Sequence, residues 1–308
     1  MTTASFIVAL LAVPAVAPEE RAIAYLEREV PAWSTTNKCF SCHNNGTGAR
    51  ALFAAAHSGF AVSEKATANT IHWLSQPAGW DHNGGDQPYN DKRLARLQFT
   101  LALLEATEAG IIRDRKPLQE AVEAIVKNDL EVALRSSVPD GIPGSPTTFG
   151  SSLFTAELRG LLFRTDFSRY REEIRRADER LRNVPIKTVL DASAVLLGLG
   201  KSDDPAASRQ RSISLALLRK GELKGGGWGA YTHSSPEAFD TALAVLSLSQ
   251  QPRTDEIRAY IQRGRAYLLQ TQSDDGSWPE TTRPAREISY AEHIATTGWA
   301  TRALLATK

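Results

Sequence analysis

The sequence predicts an all-α chain built from repeated helical hairpins. Three observations predict it. Apolar residues recur at helical spacing in a long series of segments separated by Gly-, Pro- and Asp-rich loops. No stretch alternates with period two for long enough to argue for a sheet. The segments also pair into units that recur about every fifty residues, a spacing typical of repeat architectures. One hairpin alone leaves an apolar face bare, so the units must stack into a ring or a solenoid.

In chain order, the first helix of each hairpin is predicted over 19–30, 63–76, 117–134, 169–182, 207–219 and 256–271. The second is predicted over 47–58, 92–107, 149–164, 187–199, 237–249 and 290–306. Residues 1–17 stand apart. Ser5–Val13 is too short an apolar run to span a bilayer, and Ala15-Val16-Ala17 is an A-x-A cleavage pattern followed by the polar Pro18-Glu19-Glu20-Arg21. This reads as a signal peptide, although no Lys or Arg precedes the apolar run; an N-terminal anchor or a misplaced start is the other reading. The expected organisation is a signal peptide over 1–17, a first hairpin over 18–58 and the remaining ring over 59–308, in an exported, periplasmic setting.

Composition narrows the function classes. Of 308 residues, 42% are hydrophobic and 23% charged, which excludes wholesale disorder. A net charge of +1 gives no nucleic-acid footprint and no polybasic membrane patch. No later apolar run is long enough for a transmembrane helix, so the mature chain is expected to have none.

Two loops carry a specific pattern. Arg263-Gly264, Tyr267-Leu268, Gln272, Gly276 and Trp278 read as [KR]-[GA]-x2-[FYW]-L-x3-Q-x3-G-x-W, and Gly225-Gly226-Gly227-Trp228-Gly229 is a weaker copy. Gln76-Pro77-Ala78-Gly79-Trp80 and Val138-Pro139-Asp140-Gly141 are degenerate relatives. This pattern resembles the glutamine–tryptophan repeat of squalene–hopene cyclases and other terpenoid cyclases, firmly over 207–306 and faintly over 60–200. The resemblance implies an α/α toroid, with outer and inner helices alternating around a central apolar cavity as in terpenoid cyclases and protein prenyltransferases. Whether the ring is complete, or incomplete and degenerate, is left open. Terpenoid cyclases of this class protonate an alkene with the middle acid of Asp-x-Asp-Asp-Thr-Ala. The matching stretch here is Glu237-Ala238-Phe239-Asp240-Thr241-Ala242, which puts Phe239 at the acid's position. Asp240 then reads as a first-turn carboxylate that favours the helix dipole, with a displaced acid as the other reading. The prenyltransferase zinc set lacks its thiolate, because no Cys follows Cys42. Asp274-Asp275 reads as a solvated turn, with a cation site as its alternative.

Cys39-Phe40-Ser41-Cys42-His43 is the sharpest signal. C-x-x-C-H in an exported chain is the attachment pattern of covalent haem c, as in c-type cytochromes: two cysteines for the porphyrin vinyl groups and a histidine for the iron. It uses both cysteines of the chain. A disulfide or redox pair is one alternative and a zinc site another, the latter needing a fourth ligand. Asn45-Gly46-Thr47 is formally a glycosylation sequon. Residues 31–46 are expected to connect the first two helices and so to place the haem at the mouth of the ring. The single methionine is Met1, so the distal iron ligand is expected not to be methionine. His82, with Asp81 or backbone to orient it, ranks first and His72 second. His233 and His293 fall in distant hairpins, and His57 closes a helix ~16 Å long and ranks last. The function expected is electron transfer or redox chemistry at an apolar pocket, with a redox partner protein and an apolar small molecule as partners. The alternative is non-catalytic binding of an isoprenoid or other apolar ligand, with a structural Cys pair.

Overall fold

The computed structural model describes residues 16–84, 91–128, 143–200, 202, 204–283 and 286–308. Among these residues every regular element is helical. Helix α1 (Pro18–Asn37) pairs with a π-helical turn (Cys42–Gly48) that runs directly into α2 (Ala49–His57). Then α3 (Glu64–Leu74) pairs with α4 (Lys92–Glu108), α5 (Lys116–Asn128) with α6 (Gly150–Asp166), and α7 (Arg171–Asn183) with α8 (Val189–Leu199). The last pairs are α9 (Pro205–Gly221) with α10 (Ala238–Ser249) and α11 (Asp255–Thr271) with α12 (Tyr290–Leu305). The predicted signal peptide (residues 1–15 of it), the end of the predicted 117–134 helix and the repeat relative at Val138–Gly141 lie outside the described residues.

The second helices of the hairpins neighbour one another in a closed circuit, α2, α4, α6, α8, α10, α12 and back to α2. Burial separates them from their partners. Helix α10 is buried along nearly its whole length, and so is α8. Helix α7 buries only Ile174, Ala177 and Leu181, and α11 only Ile257, Ile261, Gly264 and Leu268. A helix apolar all round belongs inside, and one with a single apolar stripe belongs outside. The fold is therefore an α/α toroid, and the ring that the sequence left open as incomplete is closed. Among the described residues, no helix is long and apolar enough to cross a membrane.

The glutamine–tryptophan loops explain the closure. Trp228 and Trp278 are fully buried, and each indole N–H donates to a carbonyl ten residues back, Leu218 and Leu268, at 2.8 Å. Each tryptophan backbone N–H donates to a threonine hydroxyl on the following inner helix, Thr241 at 2.9 Å and Thr297 at 3.2 Å. Two residues before each tryptophan stands a glycine at positive φ, +87° at Gly226 and +93° at Gly276. Gly226 lies where a Cβ would meet the Arg263 carbonyl oxygen at 2.6 Å, and Gly276 where it would strike that of Arg21. Arg263 donates to Glu222 at 2.6 and 2.8 Å, and Arg21 donates to Gln272 Oε1 at 2.6 Å. The loop of the sixth hairpin thus docks on α1 as the loop of the fifth docks on α11. Arg21-Ala22 and Tyr25-Leu26 repeat Arg263-Gly264 and Tyr267-Leu268, a match that the sequence reading confined to 207–306 overlooked. Gln272 Nε2 adds bonds to the Pro18 and Gly276 carbonyls, and Arg265 pairs with buried Glu19.

The degenerate copy at Gln76–Trp80 works differently. It lies in a 3-10 turn (Pro77–His82), and Trp80 caps the Trp73 carbonyl at 3.0 Å, seven residues back. Asp275 accepts from its own loop, Ser277 N–H at 3.0 Å and Ser277 hydroxyl at 2.7 Å, as a turn carboxylate does.

These loops yield a paired stability prediction. Gly225 (φ +100°) has no heavy atom near an added Cβ, so Gly225→Ala should cost only the positive-φ strain, about 1–2 kcal/mol. Gly276→Ala adds a collision with the Arg21 backbone at the ring closure and should cost at least about 2 kcal/mol more. Urea denaturation of the two variants measures the difference; equal midpoints would rule out the docking of this loop on α1 as a tight constraint.

Candidate functional site

The C-x-x-C-H segment joins α1 to the first inner helix. Helix α1 ends where Lys38 turns left-handed (φ +57°) and sends its N–H to the Ser34 carbonyl. Ser41 then caps the next element, its hydroxyl accepting from His43 N–H at 3.1 Å and Asn44 N–H at 3.4 Å. The connection is shorter than the expected 31–46: only 38–41 lie between helices, and Cys42 and His43 form the first turn of the inner helix. Apolar periodicity missed this because Cys-His-Asn-Asn-Gly-Thr-Gly carries little apolar signal. Its turn is held by side-chain hydrogen bonds instead.

The backbone of the motif is clamped at Phe40, Ser41 and His43. Phe40 N–H donates to Asn83 Oδ1 at 2.9 Å, and Asn83 Nδ2 donates to Phe40 O at 2.6 Å. Ser41 N–H donates to Asn45 Oδ1 at 2.9 Å. Asn45 Nδ2 reaches Thr70 Oγ1 at 2.8 Å and Val30 O at 3.3 Å. Asn44 Nδ2 reaches Glu29 O and Tyr290 Oη, both at 2.9 Å. Phe40 stacks on Trp73 with ring centroids 4.5 Å apart. Asn45 is wholly buried in this network, so the formal sequon is not an accessible glycan site in the fold.

The clamp leaves three side chains for chemistry. Cys39 is buried, Cys42 and His43 are half-buried, and neither cysteine is in a disulfide. Burial holds the His43 imidazole down to a pKa of about 4, so it is neutral, with a lone pair for a metal, at ordinary pH. Cys42 Sγ lies 3.7 Å from each ring nitrogen of His43. Two cysteines at C-x-x-C spacing and a neutral imidazole fit the groups that covalent haem attachment uses. Among the described residues no three His, Cys, Asp or Glu side chains gather as a metal cage.

The other histidines are distributed as follows. His82 ends the 3-10 turn whose next residue, Asn83, grips Phe40; its ring is exposed. Asp81 does not orient it, because that carboxylate takes Arg96 at 3.0 Å through both oxygens. His72 is exposed on α3 beside Gln76, and His57 lies at the far end of α2 near the Glu108 carbonyl. His233 is exposed and stacks on Tyr231. His293 requires a correction: ring closure sets α12 against the π-helical turn, so this hairpin is adjacent to the motif rather than distant. His293 pairs with Glu280 at 2.8 Å and meets the Tyr25 ring edge-on.

Inside the ring, the apolar cavity expected from the resemblance is not purely apolar. Arg50 bonds Glu157 at 2.8 Å, joining α2 to α6, which is not its neighbour in the circuit, and lies 3.5 Å from Glu105 on the neighbouring α4. Burial, the largest influence on Glu105, acts to raise its pKa, but Arg50 and Arg164 overcome it and hold the carboxyl at about 2. Burial and Arg50 push Arg302 down to about 10, and its guanidinium lies 4.7 Å above the Trp299 ring. Next come Phe149 and Phe239, each edge-on to Trp299 at 5.8 and 5.9 Å. At the inner-helix N-termini Asp240 sits fully buried, 3.0 Å from Arg283, with Glu237 3.7 Å from the same guanidinium. Burial raises Asp240 to about 6, with Arg283 opposing. Glu292, also raised by burial, accepts the Ser145 hydroxyl at 2.6 Å and that of Thr147. The sequence reading missed Arg283, Glu292, Ser145 and Thr147. They lie in or beside loops, where periodicity carries no information about reach.

No protein-family model matches the chain, and no curated protein does. Solved structures do. The type II terpene cyclase MstE from Scytonema, in its apo form, superposes with a TM-score of 0.57 at 16% identity, over 94% of this chain and 96% of that one. A variant of MstE in complex with geranylgeranyl dihydroxybenzoate, its substrate, superposes at 0.53 and 16% identity, over 94% of this chain and 98% of that one. Another variant, with the product merosterolic acid A, does so at 0.56 and 16% identity, over 94% and 95%. At this identity the likeness establishes the fold: a terpene-cyclase-like α/α toroid.

Proposed function

We propose that the chain is an exported c-type haem protein on a terpene-cyclase-like toroid, carrying electrons or redox chemistry beside an apolar pocket. The observation that carries the reading is the clamped C-x-x-C-H segment, with two cysteines outside any disulfide and an imidazole kept neutral by burial. Cys39 and Cys42 would each add a thiol across a porphyrin vinyl group, sulfur bonding one carbon and hydrogen the other. His43 would ligate the iron from the turn that Ser41, Asn44 and Asn45 hold. Bound haem supplies one-electron exchange; a ligand pair of two histidines would lack the potential-raising effect of a methionine. Export, to the periplasm, completes the reading, because covalent haem attachment follows translocation. A redox partner protein is part of the proposal.

A second reading has its own observation. Phe239 and Trp299 form an aromatic pair inside the ring, suited to an isoprenoid or other apolar ligand, and the ligands of MstE are of that kind. On that reading the Cys pair is structural. Proton-initiated cyclisation is the weakest part of the analogy: Phe239 occupies the acid's place, and the neighbouring Asp240 is tied to Arg283.

Expressed with a cytochrome c maturation system, the mature chain should weigh one haem more than its polypeptide and show a Soret band. Cys42→Ala should lose most of the added mass. An unmodified mass from cells that mature other c-type cytochromes would falsify the assignment.

For the distal iron position we propose His82, with His72 second. His82→Ala should turn a low-spin ferric spectrum high-spin. If the low-spin spectrum survives, His82 is not the ligand, and a wild type that is high-spin and binds cyanide readily has an open site.

Squalene or oxidosqualene incubated with the protein should be recovered unchanged by chromatography. Cyclised product that disappears in Asp240→Asn would instead identify Asp240 as a working acid.

A further inference from the structure

The segment Pro143–Phe149 enters the mouth of the ring from α6 and bonds to α12 on the opposite side. In the inner circuit α6 and α12 are three positions apart in either direction, so contacts between them cross the interior. Ser145 and Thr147 donate their hydroxyls to Glu292 in the first turn of α12, and Phe149 lies edge-on to Trp299 at 5.8 Å. We propose that this segment is a removable stopper, and that the site it fills binds an apolar small molecule bearing a hydroxyl donor at one end. The proposal rests on the apolar-ligand part of the reading above and is independent of the haem.

Three features argue for a stopper rather than fixed core. The segment is folded on itself: Ser145 N–H donates to Thr148 Oγ1 at 2.9 Å, Phe149 N–H to Ser145 O at 2.8 Å, and Gly150 N–H to Thr148 O at 2.7 Å. Gly144 is packed so closely on Phe149 and Gly150 that a Cβ would lie 2.5 Å from their backbone. Such a unit can leave as a body. Second, its junction with α6 is strained. Phe149 stands at φ +61°, a conformation that costs an aromatic residue and that lifting the ring out would relieve, and Gly150 (φ +72°) beside it supplies a swivel.

The third feature is the chemistry underneath. Glu292 Oε1 takes both stopper hydroxyls, while Oε2 is buried without a partner. Asp240 Oδ1, Thr296 Oγ1 and Trp299 Nε1 are also buried and unpartnered, on side chains at most 4% exposed together with Glu292. A site with aromatic walls and unserved acceptors at its rim is matched by an apolar body with a hydroxyl. The stopper itself has that form, a phenyl ring with hydroxyls two and four residues away.

The test uses the full chain as expressed with a cytochrome c maturation system, whether or not it carries haem, with 2-naphthol and naphthalene as probes and hydrogen exchange at residues 145–150 as the readout. Saturating 2-naphthol should raise exchange there by about tenfold or more while the core of α12 stays protected. Phe149→Ala should bind 2-naphthol about tenfold tighter, since the competing side chain is gone. Glu292→Gln, without ligand, should raise exchange at 145–150 and reduce the preference for 2-naphthol over naphthalene. The proposal is overturned if the probe binds without changing exchange at 145–150, if neither probe binds, or if Glu292→Gln leaves exchange there unchanged. The last arm decides the matter even if Phe149→Ala fails to fold. A chain with haem but no opening refutes the stopper alone; opening in a chain that never acquires haem refutes only the haem reading.

Discussion

The docking of the Gln272–Trp278 loop onto α1 is the contact on which the remaining geometry depends. A row of helical hairpins buries its inner helices only if the last hairpin finds the first; otherwise two apolar edges stay in water. Here Gln272 joins the Pro18 and Gly276 carbonyls and the Arg21 guanidinium, while Gly276 lets the loop approach the Arg21 backbone without a side chain between them. Closure in turn sets the first turn of α12 against Cys42–Gly48. It brings Thr47 to Gly298 and Tyr290 to Asn44. The C-x-x-C-H turn is therefore braced by residues nearly 250 positions away in sequence.

How much of this the sequence exposed follows from the kind of signal each part carries. The helices were legible because their apolar faces are long. Inner helices such as Val189–Leu199 and amphipathic outer ones such as Asp255–Thr271 fall within a few residues of the periodic pattern. The two strong loops were legible because Gly and Trp have few substitutes in a turn that must bury an indole. Closure was readable in principle from Arg21-Ala22 and Tyr25-Leu26, but α1 lacks the glutamine and tryptophan that made the later copies conspicuous. The π-helical turn, the clamp of Asn83 on Phe40 and the reach of Ser145 to Glu292 were not legible. The first is held by polar side-chain caps rather than an apolar face, the other two are polar contacts across more than forty residues, and no apolar period encodes any of them.

The polar side chains inside the ring divide into two kinds. Arg50 and Arg164 pair with Glu105, and Arg50 and Arg302 with Glu157, so the burial of these carboxylates is compensated by ion pairs. The groups at the inner-helix N-termini are not compensated in the same way. Asp240, Glu237 and Glu292 surround the single guanidinium of Arg283, and both Asp240 and Glu292 are pushed toward their neutral forms by burial. A paired network far from the mouth lends rigidity, whereas an excess of carboxyl groups at the mouth leaves acceptors in need of donors. The asymmetry leaves buried unpartnered carboxylate oxygens at the end of the ring where the C-x-x-C-H turn also begins.

That arrangement bears on what the interior can do. An acid that protonates an alkene must be a strong donor aimed at carbon, and the position that would supply it holds the Phe239 ring, packed against Trp299. One residue on, Asp240 is poised near neutrality and shares a proton-rich environment with a guanidinium 3.0 Å away. A carboxyl raised by burial and tied to a guanidinium is a weak acid toward carbon. The same fold that can surround a polyene is here filled by aromatic rings and by carboxyls suited to hydrogen-bonded partners. Electron exchange at the adjoining turn would require nothing from these carboxyls except that they keep water and charge ordered around whatever occupies the mouth.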